Sequence, residues 1–167
     1  MEKENEVLED KKEPEKIDPN LIVKNHVIGA MAVGLLPLPL IDLVALTGVQ
    51  INMLRKLSQL YTVSFQHDKV RNILASLIGA GLPVAVSGAV SSFLKFIPVI
   101  GQATGAIAMP ILSGASTYAV GKVFIRHFES GGTFLTFNPD AVKEYYEAMF
   151  KEGQEVASHL KKNDAEK

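Results

Sequence analysis

One carboxylate stands apart in this sequence: Asp42 is the only acid between Asp18 and Asp68. It follows a proline turn in apolar surroundings. A carboxylate at membrane depth costs on the order of 3 kcal/mol, so acids in such settings tend to carry proton or ion traffic. The simpler reading is a helix cap, with the Asp42 oxygen accepting from a free backbone N–H at the start of the next helix. Gln50, two turns further on, is a polar partner for either role. The remaining candidates for chemistry fall away. His26, His67, His127 and His159 are scattered, without a His-x-x-x-His pair or a carboxylate at ligand spacing. Gly121-Lys122 resembles the end of a phosphate-binding loop. However, Ser116 occupies the place of its first glycine and Val123 that of its Ser/Thr. Cysteine is absent, which removes disulfides, thiolate nucleophiles and thiolate metal sites. No cofactor or metal is expected, and nothing points to an enzyme.

The elements that hold these residues are dominated by two long uncharged runs, 73–94 and 96–121, of 22 and 26 residues, separated by Lys95 alone. About 20 apolar residues cross a bilayer as a helix at roughly 1.5 Å per residue. Together, 72–121 reads as a two-helix transmembrane hairpin. Each run carries a proline near its middle, Pro83 and Pro110, which spanning helices accommodate more readily than exposed ones. Small residues recur four apart, and Gly79, Gly88, Gly101, Gly105, Thr117 and Gly121 are the positions expected to let helix backbones approach closely. Lys69 and Arg71 precede the hairpin, and Lys122 and Arg126 follow it. The positive-inside rule then places both chain ends in the cytoplasm.

Residues 1–18 hold eight acids and four lysines and cannot bury enough surface to order themselves, so they read as a disordered charged arm. The start of the chain lacks the pattern of a cleaved signal peptide. Residues 19–160 form a single helical domain, with 161–167 as a frayed tail. Asp18-Pro19 and Asn138-Pro139 each pair an N-cap with a proline at the first helical position. Pro37 and Pro39 end the first helix. From about residue 41 to 64, Leu46, Val49, Met53, Leu57 and Leu60 form one apolar stripe of an amphipathic helix, suited to the interface or to packing on the hairpin. Gly131-Gly132 marks a break, and 133–137 reads as extended. The last helix has an apolar stripe of Val142, Tyr145, Tyr146, Met149, Val156 and Leu160. Lys143, Glu147, Lys151 and Glu155 form an ion-pair ladder on its other side.

Between residues 21 and 128 there are eight Lys/Arg against two acids, a balance suited to anionic headgroups. These cations are not interleaved with aromatics, which argues against nucleic acid. The mean hydropathy of +0.17 and 47% hydrophobic content suit a chain that is part membrane and part water-facing.

Three segments carry a family resemblance. They are Leu38-Pro39-Leu40-Ile41-Asp42-Leu43-Val44-Ala45-Leu46-Thr47 with Gln50; Ile97-Pro98-Val99-Ile100-Gly101, continuing to Ser116-Thr117-Tyr118-Ala119-Val120-Gly121 and Phe124; and Gly131-Gly132-Thr133-Phe134-Leu135 with Asn138-Pro139. Over about residues 21–157 the chain resembles a GTPase-associated, YcjF-like bacterial membrane family of unknown function. The resemblance implies a helical module at the bacterial inner membrane that tethers or responds to a GTPase acting in trans. It supplies no catalytic residues.

The expectation is therefore an all-α protein of about five helices, with a two-helix transmembrane hairpin and flanking amphipathic helices. Its partners would be the lipid bilayer, a GTPase and copies of itself. Two rival readings stay open: an oligomeric channel or transporter subunit, and a soluble α-helical bundle in which the two apolar runs are buried by the other helices.

Overall fold

The computed structural model describes residues 17–35, 41–84 and 104–165, with side chains over 17–35, 44–77 and 109–163. Asp18 caps the first helix, α1 (Pro19–Val33), its Oδ1 accepting from Asn20 N–H at 2.8 Å, and Pro19 opens the first turn. This is the expected cap-plus-proline start. The helices α2 (Ile41–Leu60), α3 (His67–Val84) and α4 (Thr104–Glu129) follow. A single 3₁₀ turn (Asp140–Val142) leads into α5 (Lys143–Ala165). The described residues are all-helical, with five α-helices and no strand. The last helix continues to Ala165, beyond the expected 160.

Helix α4 is the centre of the bundle and packs most extensively against α5 and α1, then α2. Side-chain pairings fix the directions. Val23 faces Gly121 and Gly34 faces Pro110, so α1 runs antiparallel to α4. Gln50 lies by Ser116 and Tyr61 by Glu129, so α2 runs parallel to it. Ala157 meets Gly114, and Arg126 lies over the Tyr145 ring, so α5 is antiparallel. Small residues allow these approaches. A Cβ on Gly153 would stand 2.9 Å from the Ala115 carbonyl oxygen, and one on Gly34 would stand 2.9 Å from Pro110 Cα. Both are backbone clashes that no rotamer change relieves.

Two helix ends share one termination device. Gly132 N–H donates to His127 C=O and Gly131 N–H to Phe128 C=O, both at 2.9 Å, with Gly131 at φ +81°. This is the Schellman pattern, which needs a left-handed residue just past the helix. At the end of α2, Val63 N–H donates to Ser58 C=O at 2.7 Å and Thr62 N–H to Gln59 C=O at 3.3 Å. Here the left-handed residue is Thr62, at φ 56°. A β-branched side chain is strained there by roughly 1–2 kcal/mol. Thr62→Gly is therefore expected to stabilise the fold by about 1 kcal/mol, read from urea denaturation; a loss of stability would contradict the strain.

Several expectations are corrected. Residues 133–137 are not extended: Thr136 Oγ1 accepts from Thr133 N–H at 2.9 Å and ties them into a turn. The ion-pair ladder on α5 does not close. Among the described residues no Lys or Arg lies within 4.0 Å of a carboxylate; the one basic–acidic contact is His67 with Asp68, at 3.6 Å. Exposed pairs gain little over hydration, which explains open side chains.

The hairpin expectation changes most. Among the described residues no helix is long and apolar enough to cross a membrane. At the start of the first run Ile73, Leu74 and Leu77 are buried while Arg71, Asn72, Ala75 and Ser76 are exposed, so this part of α3 is one-sided. In the second run Ser113, Ala115, Thr117, Ala119 and Val120 are core residues of the bundle. The outer part of the second run is thus a buried helix of the bundle, while that of the first run is buried on one face only. The side chains of 78–108 lie outside the described residues. Helix α2, suited by sequence to the interface or to packing, packs on α1 and α4.

Candidate functional site

Gln50 is fully buried on α2. Its Nε2 donates to Ser116 Oγ at 3.2 Å and to Thr117 Oγ1 at 3.4 Å on α4. Ser116 Oγ in turn lies 3.4 Å from the Tyr146 hydroxyl on α5. One side chain from each of α2 and α5, and two from α4, thus form a polar chain through the apolar core. Gln50 Oε1 is buried without a hydrogen-bond partner among the described residues. An unsatisfied buried acceptor costs about 1–3 kcal/mol. That cost makes this cluster the strongest candidate for a functional group in the described core.

The chemistry available to it is limited to hydrogen bonding. Burial pushes the Tyr146 phenol above its ordinary range, against a smaller opposing effect of the Ser116 hydrogen bond. It is a neutral hydroxyl that can donate to or accept from Ser116. No group of three His, Cys, Asp or Glu side chains suited to a metal occurs among the described residues.

Among the other candidates, those whose side chains are described have structural roles. Asp42 lies in the first turn of α2, and its side chain is outside the described residues. Thr117 and Gly121 are buried as helix-packing positions, with a Cβ on Gly121 falling 2.5 Å from Val23 Cγ2. Gly79 belongs to α3 and Gly105 to α4, but their surroundings, like Gly88 and Gly101 themselves, lie outside the described residues. Gly121-Lys122 sits inside α4, where its N–H groups serve the helix, and Lys122 Nζ donates to Asn20 Oδ1 at 2.9 Å. That is incompatible with a phosphate loop, whose N–H groups must be free.

His26 is buried between α1 and α2, with Nδ1 at 2.7 Å from Ile22 C=O and Nε2 at 3.2 Å from the Asn52 amide. His127 Nε2 lies 2.9 Å from Thr133 C=O and holds the 130–139 connection against the helix end. Sequence reasoning missed Ser116 and Tyr146 as partners of Gln50. It also missed Gly34, Gly114 and Gly153 as close-approach positions. The only available signal was Ser116-Thr117 standing beside Tyr118 in an otherwise apolar run.

The family model described as "Domain of unknown function (DUF697)" matches residues 9–155, most of the chain. The protein belongs to this family. The chain is also similar to magnetosome membrane protein 22 of Magnetospirillum gryphiswaldense. It is 36% identical over 146 residues, covering 84% of this chain and 72% of that protein. No solved structure matches the chain. The DUF697 match spans all of α1 to α4 and most of α5, so the Gln50–Ser116–Tyr146 chain lies wholly inside the family domain.

Proposed function

We propose that this DUF697 protein is a non-enzymatic membrane module, held at the bacterial inner membrane through the uncharged stretch around Lys95, that presents its helical bundle to a GTPase partner. The carrying observation is the sequence between Ile73 and Gly121, which carries one charge, Lys95, and is long enough to enter a bilayer as a hairpin. The membrane assignment of magnetosome membrane protein 22 supports the same reading. The GTPase rests on the resemblance of the Pro39–Asp42, Ile97–Gly101 and Gly131–Leu135 segments to GTPase-associated proteins. The hydrogen-bonding, non-basic character of the buried cluster favours a binding module over an enzyme.

Alkaline washing of membranes from cells expressing the chain tests the membrane limb. Burial, aided by the Glu129 hydrogen bond, pushes the Tyr61 phenol up to about 12. The unfolded phenol ionises near 10. Its contribution to stability is therefore complete below pH ~10 and is lost as the pH climbs toward about 12. Tyr146 acts in the same direction. Alkali disfavours the folded bundle through these phenols, so retention in the pellet tests the uncharged stretch around Lys95 more than the bundle surface. Retention is expected; release to the supernatant would remove the membrane limb. Recovery of a GTPase from detergent extracts tests the other limb, and finding none with either GDP or a GTP analogue bound would remove it.

A further inference from the structure

We propose that α1 is a self-association helix: two copies of this chain pair along its outer side, with both α1 helices running in the same direction.

Seven large hydrophobic side chains are exposed among the described residues, and four of them follow one line along α1. They are Ile17, Leu21, Ile28 and Leu35, exposed by 60%, 52%, 45% and 62%. Leu21, Ile28 and Leu35 recur every seven residues, and Ile17 precedes Leu21 by four, the a and d spacing of a coiled-coil seam. Gly34 keeps right-handed helical angles past Val33, so Leu35 stays on the line. At 1.5 Å per residue, Leu21 to Leu35 spans about 21 Å. The inner side of α1 is apolar too, with Val23, Val27, Ala30 and Met31 buried. A helix that is apolar on both sides belongs in contact on both sides. Lys24 is its only charge and interrupts the line at a d position. A single polar group at such a position fixes the register of paired helices at a cost in stability.

The occupant follows from the repeat and from charge. A two-fold axis along α1 sets each aliphatic side chain against its twin, so a seven-residue line is its own complement. The other three exposed hydrophobics, Val44, Met109 and Leu135, stand singly on α2, α4 and the 130–139 connection. The order of the helices gives the direction. Around α4, α1 touches α2 and α5, and α3 closes the ring between those two. One flank of α1 is therefore α2 and the other is α5. In a parallel pair, α2 of one copy faces α5 of the other; in an antiparallel pair, each flank faces its own kind. Residues 43–66 carry Arg55 and Lys56 and no acid. Residues 143–156 carry Glu144, Glu147, Glu152 and Glu155 against Lys143 and Lys151. The levels match as well. Asn52 meets His26 and Val23 meets Gly121, which puts Arg55 and Lys56 near the level of Gly121. Tyr145 lies under Arg126 and Glu152 meets Tyr118, so this part of α5 brackets the same level. Opposite charges meet only in the parallel pair. A bilayer fits the line less well, because it would carry the α5 acids toward anionic headgroups.

The absence of cysteine makes the test direct. Leu21→Cys, Ile28→Cys and Leu35→Cys, with Val44→Cys and Leu135→Cys as exposed comparisons, are oxidised with copper phenanthroline in freshly broken expressing cells, before fractionation. Each of the first three is expected to give a disulfide-linked dimer, and neither comparison is. Ile28→Glu added to Leu21→Cys is expected to abolish the dimer while leaving the helical circular dichroism and melting temperature of the parent. Lys24→Leu, which completes the apolar line, is expected to raise the dimer fraction of Leu21→Cys. No dimer at the three α1 positions, or dimer at all five, overturns the pairing. A dimer insensitive to Ile28→Glu, or weakened by Lys24→Leu, overturns the seam. Linkage of Leu21→Cys chains only to Leu35→Cys chains overturns the parallel direction, and a cross-link to another protein instead gives the face to a different partner. A chain that stays monomeric yet survives the alkaline wash refutes the pairing alone, whereas release in that wash refutes the membrane reading.

Discussion

Phe124→Ala is expected to lower the unfolding free energy by about 3–5 kcal/mol, the range for emptying a fully buried aromatic site. Phe124 is fully buried at the closed end of the bundle. Its ring stacks on Phe137 at a centroid distance of 4.6 Å and lies 5.5 Å from both Phe128 and Phe134. The site collapses poorly, because two of those partners belong to the 130–139 connection, which is anchored separately by the His127–Thr133 hydrogen bond and by the Schellman end of α4. A void there costs transfer energy and also leaves Phe134 and Phe137 without their shared partner. The loss should therefore spread into the connection. Amide exchange of 133–137 should quicken by more than the global change requires. A loss below about 1.5 kcal/mol, the scale of a tolerated volume-conserving swap, would mean that the aromatic cluster does not hold this end together.

The same region shows what sequence could specify. Gly131-Gly132 announced a break, and its geometry follows from one requirement, a left-handed residue after α4. Asp18-Pro19 announced the start of α1 for an equally local reason. Periodicity placed α2 and α5, whose buried faces are one-sided. What sequence left open was the destination of the apolar runs. A helix surrounded by protein and a helix surrounded by lipid are both apolar on every side, and small residues permit close approach in either. Only tertiary placement shows that 113–121 is covered by α1 and α5. Four-residue spacing also finds small residues within a helix and says nothing of their partners. Gly114 and Gly153 lie on facing helices and escaped it. Tyr146 was read as part of an apolar stripe, since no spacing rule links it to Ser116, 30 residues earlier. Thr62 in the left-handed region is likewise invisible to propensity, because glycine is the residue that position favours.

Gln50→Glu is expected to make stability strongly pH-dependent. The amide is fully buried, and its oxygen already lacks a partner among the described residues. Along α4, the charge-free run 96–121 faces it; on α2, Arg55 and Lys56 point to solvent. A carboxylate placed there meets the Ser116 and Thr117 hydroxyls but no cation, so its folded pKa must rise well above the ordinary value near 4.3. The neutral acid can imitate the amide. Stability should therefore be near that of the parent below pH ~4.3 and should fall as the pH rises through the elevated folded value. The plateau deficit should be about 3–5 kcal/mol, the cost of an uncompensated buried charge. Gln50→Met removes the orphaned oxygen at similar volume and should leave stability within about 1 kcal/mol of the parent at all pH values. The pair of curves separates the burial of charge from the loss of shape. If the glutamate variant showed a flat deficit below about 1 kcal/mol, the cluster would be open to water, and the cost assigned to Gln50 Oε1 would be wrong. If Gln50→Met is stable yet recovers no GTPase from detergent extracts that the parent does, then the polar chain through α2, α4 and α5 is kept for binding, at the expense of stability.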